Sequence, residues 1–149
     1  MDFMTAIKTC LTQKYATFSG RASRSEYWWF FLAVMLGALV AMLLGPLGLI
    51  YGLAMLCPML AAGCRRLQDT GRPGWWIFIP AAFNLISSQL APDMLDDAAI
   101  AAGDFPSTGA VALSGVLGLV GLVLTVIFIW WLTRPSDPDT NQYGPPPAA

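Results

Sequence analysis

The chain has 149 residues, of which 56% are hydrophobic and 11% charged, with a mean hydropathy of +0.61 and a formal net charge of -1. Ordinary soluble domains are about 25% charged, so this composition excludes a well-solvated globule. The near-neutral balance excludes nucleic acid as the main partner, because phosphate neutralisation needs clustered Lys and Arg.

Residues 1–26 form a basic cytoplasmic segment carrying Lys8, Lys14, Arg21 and Arg24. No compact apolar core follows the first Met, so no cleavable signal peptide is expected. Phe3, Ile7, Leu11, Tyr15 and Phe18 recur at helical spacing, with Thr5, Lys8, Thr9 and Thr12 largely opposite. This pattern predicts an amphipathic helix lying along the membrane interface. A helix packed on the base of the bundle fits the pattern equally well. Gly20 is placed to end it. Ser23 and Glu26 then give the S-x-x-E spacing of a capping box for the next helix.

Tyr27 to Cys64 is a run of 38 residues without an ionisable acid or base other than Tyr and Cys. That is about two membrane spans. Gly45, Pro46 and Gly48 punctuate it, which predicts a hairpin of spans over 27–44 and 48–65. Pro58 lies inside the second span and strips the Ala54 carbonyl of its usual donor, so a local kink is expected. Cys57 and Cys64 are two helical turns apart, beyond disulfide reach, and with Cys10 read as free thiols.

The connection Arg65-Arg66-Leu67-Gln68-Asp69-Thr70-Gly71-Arg72-Pro73 is short and charged. Arg65 and Asp69 have the i,i+4 spacing of a pair. Gly71 is placed to stop the helix and Pro73 to restart the next. Arg66 and Arg72 are left for phosphate or for Glu26. Further uncharged runs, Pro73–Pro92 and Phe105–Thr133, predict spans over 74–91 and 111–132. The former is weakened by Pro80, Asn84, Ser87, Ser88 and Gln89. The loop between them holds Asp93, Asp96, Asp97 and Asp104 and no basic residue. Its Asp side chains suit the start of a short outer helix better than a calcium site. In the last span Gly115, Gly118 and Gly121, with Ala112 and Ser114, favour tight packing within the chain or against a second copy. The tail 134–149 is rich in Pro and Asx and reads as an extended strap or a disordered end. Asp137, Asp139 and the terminal carboxylate are candidates to meet the arginines.

In this four-span arrangement every Lys and Arg falls on one side, which the positive-inside rule makes the cytoplasm, with both termini there. The pairs Trp28–Trp29, Trp75–Trp76 and Trp130–Trp131 reach that same interface as aromatic anchors. The fold class is therefore all-α membrane protein: four transmembrane helices over 27–133, with an N-terminal interfacial helix. Arg21, Arg24, Glu26, Arg65, Arg66, Asp69 and Arg72 are expected to form one charged collar beneath it. The collar serves either the structure or anionic lipid headgroups.

The stretches FSGRASRSEYW, CPMLAAGCRRLQDTGRPGWW and SDPDTNQYG resemble the signatures of the bacterial inner-membrane family catalogued as domain of unknown function 805, over roughly residues 10–144. The resemblance implies a small protein of three or four spans and supplies no activity, substrate or catalytic residues. The acidic loop has no counterpart in its pattern.

The sequence lacks His, a P-loop, a dinucleotide fingerprint, HExxH and GxSxG. No cofactor, metal or catalytic residue is assigned. Three of the four spans hold no charged residue, as a polar pathway would often require. The expected role is a structural, scaffold or regulatory component of the inner membrane that contacts anionic lipid, a membrane partner or another copy. The alternatives are an oligomeric transport component and an enzyme acting on lipid phosphate through Glu26 or Asp69.

Overall fold

The computed structural model describes residues 1–90 and 107–147, and these are helical apart from turns and the tail. The acidic residues Asp93, Asp96, Asp97 and Asp104 lie outside the described residues. Helix α1 spans Phe3–Lys8 and continues as a π-helical turn, Thr9–Gln13. Helices α2, Arg24–Met42, and α3, Leu47–Asp69, form a hairpin. A 3-10 turn over Gly74–Ile77 leads into α4, Phe78–Leu90, and α5 spans Thr108–Thr133.

Helices α2, α3 and α5 are long and apolar enough to cross a membrane. Helix α4 has 13 residues, about 20 Å at 1.5 Å per residue, short of a hydrocarbon layer about 30 Å thick. The expected third span, 74–91, is therefore a shorter helix over its described residues. Large apolar side chains such as Leu39, Leu43 and Leu49 are 62%, 86% and 70% exposed. Surface of this kind is solvated by lipid tails and would be a liability in water.

The chain divides into two compact units: residues 1–77 with 131–149, and residues 78–130. The first is built on the α2–α3 hairpin. Gly45 takes a positive φ of 60° at its turn, as the Gly-Pro punctuation predicts. Tyr51 donates its hydroxyl to the Val34 carbonyl at 2.9 Å. Gly37 makes this possible, because a Cβ there would overlap the Tyr51 hydroxyl. The carbonyl that Pro58 leaves without a donor is also satisfied. Tyr15 reaches across and donates to Ala54 at 2.5 Å.

The N-terminal segment departs from expectation. Its helix ends at Gln13, well before Gly20. It turns Ala6, Thr9 and Cys10 into the fold, while Tyr15 and Phe18 are exposed. Small side chains let α1 lie close to α2, and Phe3 stacks edge-on against Trp29 with ring centres 5.8 Å apart. Beyond Gln13 the backbone leaves the helix, and the carbonyls of Lys14 and Thr17 accept from Arg65. A continued helix would have kept both carbonyls for itself.

The second unit contains α4 and α5 up to Trp130. Gly121 on α5 lies close to Phe83 on α4, where an added Cβ would stand 3.3 Å from the ring.

Candidate functional site: a buried arginine–carboxylate clamp

The first turn of α2 and the last turns of α3 place the charged groups. Ser23 caps α2 by accepting from the Glu26 amide at 3.2 Å. This is half of the expected capping box. The Glu26 carboxylate turns inward instead, accepting from Arg65 Nη2 at 3.0 Å, with Lys14 Nζ 3.7 Å away. Helix α3 stops where expected, at Gly71, whose φ is 73°.

Asp69 pairs with Arg66 and with Arg21, the latter at 2.8 Å. The expected Arg65–Asp69 pair is therefore replaced. Residues three apart put Arg66 over Asp69, while Arg65 faces α1 and α2 and takes Glu26. Glu26, Arg65, Arg66 and Asp69 are 1% exposed or less, and Arg21 is 6% exposed.

Three buried guanidiniums thus share two carboxylates, and backbone carbonyls supply most of the remaining acceptors, with Arg65 Nε buried without a partner among the described residues. Arg21 uses all five of its N–H groups. Nε donates to Asp69 Oδ1, Nη1 to the carbonyls of Asp139 at 2.7 Å and Gly144 at 3.2 Å, and Nη2 to those of Asp69 and Asp137. Arg66 Nε caps the end of α5 at the Leu132 carbonyl, 3.0 Å away, and its Nη groups reach Ala22 and Arg134. Arg65 donates to Lys14 and Thr17, and its Nη2 lies 3.7 Å from Cys10 Sγ. A planar fork of fixed donors suits this role, and Lys could not match it.

The tail is an ordered strap. Asp137 N–H donates to the Asp69 carbonyl at 3.1 Å, and the Asn141 side-chain amide donates to the Gln68 carbonyl at 3.0 Å. Asp137 and Asp139 meet Arg21 through their backbone carbonyls, and the expected side-chain pairing with arginine is replaced by this contact.

The seven collar positions fall into two groups. Arg21, Glu26, Arg65, Arg66 and Asp69 are locked inside. Arg24 is exposed on the first turn of α2. Arg72 is half-buried, donates to the Thr70 carbonyl at 3.2 Å and lies over the Trp131 ring, 5.4 Å from its centre. Arg66, expected to be available for phosphate, is fully buried. Among the anchors, Trp76 and Trp131 pack with ring centres 4.9 Å apart, Trp28 and Trp75 each meet an aromatic neighbour, and Trp29 and Trp75 are largely exposed. Trp130 belongs to the second unit.

Sequence reasoning missed Tyr15, Lys14, Cys10 and Asn141. The Pro58 orphan carbonyl was a usable signal for a nearby donor, and Tyr15 supplies it. Burial, reinforced by the Glu26 charge, pushes the Cys10 thiol up to about 11. The raised value favours the neutral thiol, the less nucleophilic form. Among the described residues, no group of three His, Cys, Asp or Glu comes together to hold a metal.

A family model described as a protein of unknown function, DUF805, matches residues 15–145, which hold the clamp from Arg21 to Gly144. The chain belongs to this family. Two relatives from Escherichia coli strain K12 share part of the DUF805 chain. Inner membrane protein YhaI is 42% identical over 79 residues, 46% of this chain and 67% of the relative. Inner membrane protein YhaH is 37% identical over 79 residues, 45% of this chain and 65% of the relative. The match thus covers about two thirds of each relative and less than half of this chain. No solved structure matches. With its three apolar helices, this DUF805 member is a multi-pass inner-membrane protein.

Proposed function

We propose that this protein is a non-catalytic scaffold or regulatory component of the inner membrane. In this reading it has four spans, both termini in the cytoplasm, an N-terminal helix at the interface, and a basic base that meets anionic lipid or a membrane partner. The observation that carries the reading is the state of Glu26 and Asp69. Both are buried and held by arginines, so neither carboxylate is open to a substrate. The clamp ties the ends of α2, α3 and α5 to the tail and serves as a structural lock. Lipid contact then falls to the outer positions, Arg24 and Lys8, which are exposed, and to half-buried Arg72. Exposed Met4 and Trp29 beside them suit an interfacial setting.

The four-span topology rests on the one-sided placing of Lys and Arg. Reporter fusions after residues 110 and 149 test it. The expected results are an external reporter at 110 and a cytoplasmic one at 149, and either reversal sinks the topology. Native mass spectrometry tests the role, with retained anionic lipid or a partner expected and weakened by Arg24→Ala. Solute flux in liposomes would favour transport. Lipid turnover that tracks Glu26 or Asp69 would restore the enzyme.

A further inference from the structure

The second unit holds an opening of about 450 Å³ between α4 and α5, lined chiefly by polar and small residues. Asn84, Ser87 and Ser88 face it from α4; Ser114, Gly118 and Thr125 face it from α5. Both helices run through uncharged stretches. Some of this polarity is satisfied within each helix. Ser87, Ser88 and Thr125 donate to the carbonyls of Asn84, Leu85 and Gly121 at 3.0, 2.8 and 2.8 Å. Ser114 Oγ is different, being buried with no hydrogen-bond partner among the described residues. The exposed Asn84 side chain also faces the opening and brings two donors and an acceptor. In hydrocarbon such groups find partners on another helix.

The α5 side of the opening has the spacing of a helix seam. Ser114, Gly118, Gly121 and Thr125 are four, three and four residues apart, and so lie on one face. Gly121 is used within the unit, against Phe83. A Cβ added at Gly118 would meet nothing within 4 Å. Among the described residues, packing within the chain therefore does not account for the small residue at 118, whereas a helix arriving from outside would.

We propose that this opening is the interface with a second copy of the chain, joined about a two-fold axis through Asn84 and the Ser114–Gly118 face. Self-complementarity selects the second copy. A two-fold axis sets each surface against itself, and only a group that both donates and accepts can then pair with its own copy. Carboxamides and hydroxyls do both, and among the described residues the lining contains no charge that would repel its copy. The inference rests on α4 lying within the bilayer, as in the four-span reading, and the reporter fusions test that separately.

The test is the pairing of two fluorescently labelled populations of the full chain in liposomes, followed as the protein-to-lipid ratio is lowered. Gly118→Leu fills the seam at a place where the isolated chain has room, and Asn84→Leu removes the amide. The wild type is expected to pair, and each variant to need about a tenfold higher protein-to-lipid ratio for half-pairing, a shift within reach of one or two interhelical bonds. An unchanged melting transition shows that the variants remain folded. A wild type that stays monomeric at every ratio overturns the proposal, as does pairing that survives either substitution. A groove that takes up water or a small polar solute while the chain stays single also overturns it.

Discussion

Asp69 shows what a single side chain holds in this protein. It is completely buried and receives Arg21 and Arg66. Removing one partner of a buried ion pair costs about 3–5 kcal/mol, because the remaining charge stays desolvated. Asp69→Ala leaves two such charges, so SDS titration in mixed micelles should show a loss at or above that range. Arg24→Ala, on an exposed position of the same collar, should stay within about 0.5 kcal/mol. Equal losses in the two variants would refute the division into inner and outer groups. Cys10 gives a pH readout of the same interior. Its thiol is raised from 9.0 to about 11, so the unfolded chain releases this proton first as pH rises. Its contribution to stability is complete below pH 9 and falls as pH climbs through 9 to 11. A water-soluble maleimide at pH 8 should leave Cys10 unlabelled in the folded protein and modify it after denaturation, as peptide mass mapping would reveal.

Among the helices, α3 carries a defect that another element repairs. Pro58 has no N–H to give Ala54, and the Tyr15 hydroxyl takes that place from outside the helix. Tyr15→Phe should cost about 1 kcal/mol, the scale of a side-chain hydrogen bond within a membrane protein. Pro58→Ala restores the backbone donor, and in that background Tyr15→Phe should cost close to nothing. A double-mutant cycle reads the coupling directly, and additive effects would exclude the repair. Helix α2 shows how one residue reconciles two demands. Glu26 opens the helix with its amide on Ser23 and spends its carboxylate on Arg65, a use that its i,i+3 spacing alone could not reveal.

At the scale of the whole molecule, the strap joins residues far apart in sequence. Arg21 takes carbonyls from Asp137, Asp139 and Gly144, and Asn141 reaches Gln68. Truncation after Arg134 should cost about 2–4 kcal/mol, since charged hydrogen bonds contribute about 1.5–3 kcal/mol each and water replaces part of that. Limited proteolysis should then cut between Lys14 and Arg24 faster than in the full chain. A tail that could be removed without change in melting or cleavage would be a passive end. Asn141→Ala, which loses the bonds to the Gln68 carbonyl, the Asp137 carboxylate and the Tyr143 amide, should cost about 1–3 kcal/mol.

The sequence determined the membrane class, the hairpin turn at Gly45, the helix stop at Gly71 and the Ser23 cap. These follow from local composition, backbone freedom and short-range spacing, which act within a few residues. It also led to an expected collar of seven charged residues, of which the structure brings Arg21, Glu26, Arg65, Arg66 and Asp69 together. The tertiary structure alone decided which arginine meets which carboxylate, that the strap is bound through its carbonyls and the Asn141 amide, and that the N-terminal helical segment ends at Gln13. Those outcomes depend on desolvation. A buried guanidinium draws on whatever acceptors lie within about 3 Å, and backbone carbonyls leave no mark in the side-chain pattern.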